Sequence, residues 1–309
     1  MRSESYIQLA LELLGCNQKD LAAQLDVSPT QISKWKKGDY LSIEMETRLR
    51  ELIDIGDKDP EFILWTGGIE AADKWEKLIK FIASLAFESA ETGYNTEPLR
   101  DESSLLCWQT IQTLIQMGVE IPQQFPKELD IDLSDPELDY TLSELHPIAG
   151  IIEEIFFSLN DVYGFYAAFI SNLIHSDGIN LDDSIENIEP CLLELAASKI
   201  NVDEALAKNF KSFRYNIQSN YERWLCELKE SAFQAGIPIK AELLDLIYLE
   251  HDAVGHMAEA ESLGFNKSRA HPDIYMNELL EGMRMIHRIM PAIIKKLGIE
   301  NEIDWDFDK

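Results

Sequence analysis

The sequence predicts an all-α protein with a small N-terminal helical domain, residues 1–56, and a larger C-terminal helical domain, residues 57–309. Apolar residues recur at three- and four-residue steps through most of the chain, which is the spacing of amphipathic helices. Alternating apolar and polar residues are hard to find, and a strand over residues 237–239 is interrupted by Pro238. A length of 309 residues fits two domains of about 150 residues each.

The charge of the chain is strongly negative and unevenly divided. There are 27 Lys and Arg against 56 Asp and Glu, a net charge of −29, so most of the surface should repel nucleic acid and anionic membranes. Residues 1–56 hold seven bases and nine acids (−2), whereas residues 57–309 hold 20 and 47 (−27). Lys34, Lys36 and Lys37 fall within four residues. The first segment is therefore the part that can approach an anionic partner.

Composition and cysteine spacing predict a cytoplasmic protein. The chain is 46% hydrophobic and 27% charged, which excludes a largely disordered polypeptide. Its four cysteines are far apart and form no CxxC pair, so neither a zinc ribbon nor a disulfide framework follows. The start has no apolar core of a secretory signal. The longest apolar stretch, residues 148–174, contains three acids and is shorter in its uncharged part than the ~20 residues of a membrane span.

Residues 18–38 predict two short helices joined by a turn of about three residues, the helix-turn-helix pattern. Ser28 is a good N-cap for the second helix, residues 29–37, while Pro29 suits its first position and Gly38 can end it with a positive φ. The apolar residues on the inward faces are Leu21, Ala22, Leu25, Ile32 and Trp35.

Two further helices flank this pair. Residues 6–14 form an amphipathic helix that we expect to end at Gly15 and Asn17. Residues 43–55 supply a packing helix after the pair.

The motif Q-x-x-L-A…S-x-x-x-I-S-x-W-x-x-G, which starts at Gln18, resembles the helix-turn-helix domains of the lambda-repressor and Cro (XRE-type) family. Gln18 stands at the family's leading Gln, Ala22 at its small crossing residue and Ile32 at its buried aliphatic residue. Asp26 departs from the family, which often has Gly in the turn, but Asp tolerates left-handed geometry better than most residues. The resemblance covers residues 5–56 and implies a lambda-repressor-like fold that binds double-stranded DNA.

The family's docking mode implies that helix 29–37 lies in the major groove. The exposed residues at its start would reach base edges, and flanking polar and basic residues would contact phosphates and fix the register. The candidate DNA-binding residues are Gln18, Ser28, Pro29, Thr30, Gln31, Ser33, Lys34, Lys36, Lys37 and Tyr40. The alternative is a helix-turn-helix used only for protein contacts, or a degenerate copy. The polar and basic character of the exposed positions favours DNA.

The remaining chain predicts an acidic, all-helical dimerisation or effector domain. Helices are expected near 69–92, 101–117, 147–175, 183–199, 203–235, 239–264 and 272–297. Residues 118–146, rich in acids and proline, predict an irregular loop with short helical turns and a possible subdomain boundary. The apolar helix 148–174 is expected to form either the core of this domain or a subunit interface.

The sequence offers little support for catalysis, and we expect no enzyme activity and no cofactor. No P-loop, GxGxxG, GxSxG or HExxH motif is present. Asp252, His256 and Glu259 share one helix face and could hold a divalent metal, with His251 about 100° away. A solvated polar face is the favoured interpretation, so no metal is predicted.

Together these features predict a sequence-specific transcriptional regulator. Two copies on a pseudo-palindromic operator would give usable affinity, so we expect a homodimer. The helical domain would supply the dimer contacts and sense a signal or partner. Two alternatives stay open: a protein-interaction module of antitoxin, antirepressor or defence-associated type, and a regulator that senses a peptide or small ligand. The acidic body makes a membrane partner unexpected.

Overall fold

The computed structural model describes residues 3–100, 105–133, 142–176, 191–265 and 272–298. Within these ranges the chain forms helices and turns and no strand, so the all-α prediction is confirmed. The α-helices are α1 (Ser3–Leu14), α2 (Gln18–Leu25), α3 (Pro29–Trp35), α4 (Ile43–Ile53), α5 (Pro60–Thr66), α6 (Ile69–Glu88), α7 (Leu105–Met117), α8 (Leu142–Leu145), α9 (Pro147–Phe165), α10 (Ser171–Ile174), α11 (Leu192–Lys199), α12 (Phe210–Ala235), α13 (Asp245–Tyr248), α14 (His251–Ser262) and α15 (Pro272–Leu297).

Helices α1 to α4 pack around a small apolar core. The residues predicted to point inward are all buried: Leu21, Ala22, Leu25, Ile32 and Trp35. Tyr6 fixes α1 against α4, because its hydroxyl donates to the Glu46 carboxylate at 2.6 Å and the Arg50 guanidinium lies over its ring. Burial and this hydrogen bond raise the pKa of Tyr6. The arrangement confirms the predicted helix-turn-helix with a packing helix after it.

Helix α5 joins this core to the rest of the molecule. It packs against α1 and α6, and Ser5 of α1 donates to the Glu61 carboxylate at 3.0 Å. Arg50 spans the same junction, since one of its terminal nitrogens donates to the carbonyls of Gly56 (2.9 Å) and Lys58 (2.8 Å). The junction near residue 56 is thus packed on both sides. The division of the chain into domains at that point stays a prediction.

Helix α9 is the centre of the larger part. Helices α6, α8, α11 and α14 pack around it, and Ile152, Ile155 and Phe156 are fully buried. A single π-helical turn, Tyr166–Ile170, continues it into α10. The apolar stretch 148–174 is therefore a core element of the folded chain, the first of its two predicted roles.

The predicted helix 239–264 is wrong, because the structure divides it into α13 and α14. Leu249 and Glu250 adopt extended ψ angles between the two helices. The carbonyls of Ile247 and Leu249 accept hydrogen bonds from the Lys199 ammonium of α11 instead of from amides further along a helix. Burial of this ammonium, with a smaller effect of Arg214, lowers the pKa of Lys199 to about 8.

Other predicted boundaries shift for local reasons. The helix predicted at 203–235 begins at Phe210, because the Asn209 amide donates to the carbonyl of Met117 in α7 at 2.9 Å. The stretch 118–146 contains a 3₁₀ turn, Lys127–Leu129, and α8, while its residues 134–141 lie outside the described residues. Residues 101–104 and 183–190 of two predicted helices also lie outside them. No helix in the described part of the chain is long and apolar enough to cross a membrane.

Candidate nucleic-acid interface

Helix α2 begins with a reciprocal cap. The Asn17 side chain accepts from the amides of Lys19 (2.9 Å) and Asp20 (3.2 Å), and the Asp20 carboxylate accepts from the Asn17 amide at 3.3 Å. Such a capping box satisfies donors that the first helical turn leaves unpaired. Asn17, expected from the sequence at the end of α1, instead begins α2, and the Asn-x-x-Asp spacing is itself the signal for a helix start.

The turn between α2 and α3 depends on a left-handed residue. Asp26 has φ 55° and ψ 46°, and the following amide, that of Val27, donates to the Ala22 carbonyl at 2.9 Å. Asp26 thus adopts the backbone geometry that glycine adopts most easily. This agrees with the expectation that Asp can replace Gly in this turn.

Helix α3 begins with the residues expected from the sequence but ends earlier than expected. The Ser28 hydroxyl accepts from the Gln31 amide at 3.2 Å, and Pro29 takes the first helical position. Gly38 has φ 93°. The helix ends at Trp35 and not at Lys37, because the Lys37 and Gly38 amides donate three residues back in a tightened turn. Lys36 caps the helix and Lys37 lies in the turn after it.

The candidate residues lie on the outside of the helix-turn-helix. Pro29, Thr30 and Lys34 are exposed on α3, while Gln31 and Ser33 are half-buried beside them. Ser28, Lys36, Lys37 and Tyr40 are exposed at the two ends of the helix, and Gln18 is half-buried at the start of α2. Tyr40 is 81% exposed, an unusual position for an aromatic side chain. The structure therefore brings the start of α3 and the turn after it to one accessible surface.

The segment after α3 is held by contacts between residues far apart in the sequence. The Ser3 hydroxyl lies 2.9 Å from the Trp35 carbonyl and 2.7 Å from the Asp39 carbonyl, and the Trp35 indole donates to the Tyr40 carbonyl at 3.0 Å. Ser3 is only 4% exposed. These bonds set the path of the turn that carries the basic residues. A serine at the start of an amphipathic helix gives no sequence signal for such a role.

The basic residues of this surface are available to a ligand. Among the described residues, no carboxylate lies within ion-pair distance of Lys34, Lys36 or Lys37. By contrast, Arg50 pairs with Glu46 at 3.1 Å in a partly buried position on α4. The side-chain ammonium groups near α3 can therefore accept an anionic partner without first breaking an internal ion pair.

A second polar cluster lies far along the chain, and its centre differs from the one predicted. The sequence placed Asp252, His256 and Glu259 together with His251 apart from them. In the structure, the Nδ1 atom of His251 lies 2.8 Å from Oδ2 of Asp161 and 2.9 Å from Oδ1 of Asp252. The His256 ring is 3.7 Å from the Glu259 carboxylate. Asp161 belongs to α9, so the packing of α9 against α14 creates this cluster.

This cluster is a triad of one imidazole and two carboxylates, those of His251, Asp161 and Asp252. Its hydrogen bond to Asp161 raises the pKa of His251, against an opposing effect of burial. The imidazole of His251 thus contacts both carboxylates, those of Asp161 and Asp252, through one ring nitrogen. The ligand atoms lie within 4.8 Å of one another, close enough to share a divalent ion. The triad borders a surface cavity of about 320 Å³.

Comparison with known proteins identifies the N-terminal segment. A family model described as helix-turn-helix matches residues 7–54, which span α1 to α4. The match and the structure confirm the resemblance of this segment to XRE-type, lambda-repressor-like domains, a class that binds DNA. No curated protein and no solved structure matches the chain. The match supports a DNA-binding regulator of the XRE type in general terms.

Proposed function

We propose that this protein is a sequence-specific transcriptional regulator that reads its operator through α3. The proposal rests on one observation. The start of α3 is exposed, and the bases beside it, Lys34, Lys36 and Lys37, form no ion pair among the described residues. A helix held in this way can enter the major groove, where base edges present distinct donors and acceptors. Most of the −29 net charge belongs to residues 57–309, so the body stays away from the phosphates while this surface approaches them.

The proposed roles divide the candidate residues into two groups. Thr30 can offer a hydroxyl or a methyl group to a base, and Lys34 can donate to guanine O6 and N7. Pro29 and Ser33 lie beside them. Residues proposed to contact phosphates are Gln18, Lys36, Lys37 and Tyr40. The Ser28 hydroxyl serves the helix cap, and Gln31 lies at the edge of the same surface.

The proposal includes a homodimer on a pseudo-palindromic site. One helix-turn-helix makes only a few phosphate contacts, and two copies about 34 Å apart combine the affinities of two half-sites. The body would supply the dimer contacts and respond to a signal or partner. We assign no catalytic activity to the chain, and we propose that it acts in the cytoplasm, where its four cysteines stay reduced.

Selection of binding sites from a random duplex library tests the proposal. The wild-type chain is expected to enrich one sequence in two inverted copies. Thr30→Ala and Lys34→Ala should each lower affinity for that sequence by about 10-fold, in line with ~1–3 kcal/mol per base contact. Lys77→Ala, which removes an exposed base on α6, is the matched control and should keep wild-type affinity. The absence of any enriched sequence, or equal binding by all three variants, would overturn the proposal.

A further inference from the structure

Helix α15 differs from the other long helices because its apolar side chains face solvent. Along residues 282–297 only Ile294 is buried. The exposed large apolar residues of this segment are Met283, Met285, Ile286, Ile289, Met290, Ile293 and Leu297. The apolar faces of α6, α9 and α12 are buried within the molecule. A row of exposed aliphatic side chains of this size indicates an interaction surface.

The spacing of these residues is that of a coiled coil. Met283, Ile286, Met290, Ile293 and Leu297 alternate steps of three and four, and in the sequence the same alternation extends back through Leu279 and Met276. Seven positions make about three heptads, the length at which such a repeat becomes a meaningful signal. Because one heptad is close to two helical turns, the residues form a single stripe along α15. Pro291 lies inside the helix, where it removes one backbone hydrogen bond, and its side chain lies off this stripe.

The basic side chains of α15 lie mostly away from its apolar stripe. Residues 282–298 hold four bases, Arg284, Arg288, Lys295 and Lys296, and no acid, whereas the first part of the helix holds Asp273, Glu278 and Glu281. Three of these bases, Arg284, Arg288 and Lys295, lie on the side opposite the apolar stripe. When two such helices join through their stripes, these three bases stay in solvent and do not have to be buried in the seam.

A second copy of this chain is the partner that matches the stripe. In the described residues α15 is the long helix with an unpartnered apolar face, and a two-fold dimer joins the same surface on both copies. Covering the exposed side chains on both helices buries on the order of 1,000 Å², which is the lower bound expected of a biological interface. We infer that α15 is the dimerisation element, through which two copies of this chain associate by a heptad seam.

The α15 contact would bring two copies of the proposed DNA-binding domain together. Its biological role therefore rests on the proposed function, whereas its test measures only the mass of the particle in solution. Light scattering on the full chain, under reducing conditions because Cys226 is exposed, should give twice the chain mass of 35.3 kDa at micromolar concentration. The double variant Ile286→Asp, Ile293→Asp should give the mass of one chain with an unchanged circular dichroism spectrum. Met285→Asp is the matched control, because Met285 and Ile286 are both 57% exposed but Met285 lies off the stripe.

The outcomes separate this inference from the proposed function. A dimer for wild type and Met285→Asp, with monomers for the double variant, supports the inference whether or not DNA is bound. A monomeric wild type, or a double variant that stays dimeric, overturns it and leaves operator binding to be judged on its own. Binding of a monomeric wild type to vesicles of mixed phosphatidylcholine and phosphatidylserine, lost in the double variant, would assign the stripe to a membrane surface and also overturn it.

Discussion

The hydroxyl of Ser3 lies 2.9 Å from the carbonyl of Trp35, so the first helix of the chain holds the last residue of the proposed recognition helix. The same hydroxyl lies 2.7 Å from the carbonyl of Asp39. The bond therefore stabilises the turn that carries Lys36 and Lys37. A buried residue outside α3 thus supports the proposed DNA-binding surface, and mutation can separate its effect on DNA affinity from its effect on stability.

Replacement of Ser3 by Ala should weaken operator binding by more than its effect on stability explains. The variant removes one donor from the Trp35 carbonyl, which still accepts from the Gly38 amide, and one from the part-buried contact with the Asp39 carbonyl, which costs about 1 kcal/mol. Ser5→Ala is the control, since Ser5 is also buried but bonds to Glu61 of α5 and not to the segment after α3. Affinity measured well below the melting temperature of both variants should fall for Ser3→Ala alone. Equal affinities would show that this bond does not position the surface.

The left-handed turn residue predicts opposite effects for two substitutions at one position. Asp26 has φ 55°, so Asp26→Gly should raise the free energy of unfolding by about 0.5 kcal/mol and Asp26→Ala should lower it by about 1 kcal/mol. Denaturant titration measures both values. Asp54 has φ 52° after α4, and the same pair of substitutions there should give the same order. If Ala proved at least as stable as Gly at both positions, backbone conformation would not be the controlling factor.

The helix-turn-helix could be predicted from the sequence because its determinants are local. Ser28, Pro29 and Gly38 act on backbone groups within a few residues of themselves, and the inward spacing of Ile32 and Trp35 needs only helical geometry. These features are confirmed. The end of α3 at Trp35 was predicted two residues too late, since a tightened last turn leaves no clear mark in the sequence.

Features that depend on packing between distant helices could not be predicted in this way. The pair formed by Asp161 and His251 joins residues 90 positions apart and exists because α14 lies against α9. The break before α14 likewise needs the Lys199 ammonium of α11 as a donor. Helical periodicity correctly predicted an α-helix at His251. It placed His251 apart from the polar cluster, whereas the structure places it against Asp161 and Asp252.

Two glycines, Gly255 on α14 and Gly282 on α15, should respond in opposite directions to replacement by alanine. A Cβ atom at Gly255 would lie 2.1 Å from Oδ1 of Asp161, whereas a Cβ atom at Gly282 on α15 would meet nothing within 4 Å. Gly255→Ala should therefore lower the free energy of unfolding by about 1–3 kcal/mol through overpacking. Gly282→Ala should raise it by roughly 0.5–1 kcal/mol, because alanine is the better helix former. Thermal melts of the two variants check both signs, and a destabilised Gly282→Ala would contradict the helical geometry of α15.

The triad at His251 predicts a pH dependence of stability with a definite sign. Its hydrogen bond to Asp161 raises the pKa of His251 above 6.5 in the folded chain, so folding favours the protonated ring. The stabilisation is fully present below pH 6.5 and is lost as the pH rises through the elevated value. The free energy of unfolding of wild type, relative to His251→Gln, should therefore decrease from pH 6 to pH 8.

A neighbouring histidine provides the control for this measurement. His256 is on the same helix and its side chain is 79% exposed, so His256→Gln should follow the wild-type pH curve. Chemical denaturation at several pH values gives all three curves. A wild-type curve parallel to that of His251→Gln across this range would mean that the ion pair with Asp161 contributes no pH-dependent stability.

The acidic body predicts that removal of negative charge raises binding to DNA of any sequence. Residues 120–146 hold eight acids and one lysine, and amide substitution of Glu128, Asp135, Glu137, Asp139 and Glu144 reduces the repulsion of phosphates. Affinity for a non-operator duplex, measured by fluorescence anisotropy, should rise several-fold at low salt. The difference should shrink as added salt shortens the Debye length to about 8 Å at 0.15 M. In the control variant each of these Asp residues is replaced by Glu and each Glu by Asp, which keeps the charge, and this variant should bind like wild type. If the amide variant also bound non-operator DNA no more tightly than wild type does, that result would contradict a repulsive role for the body.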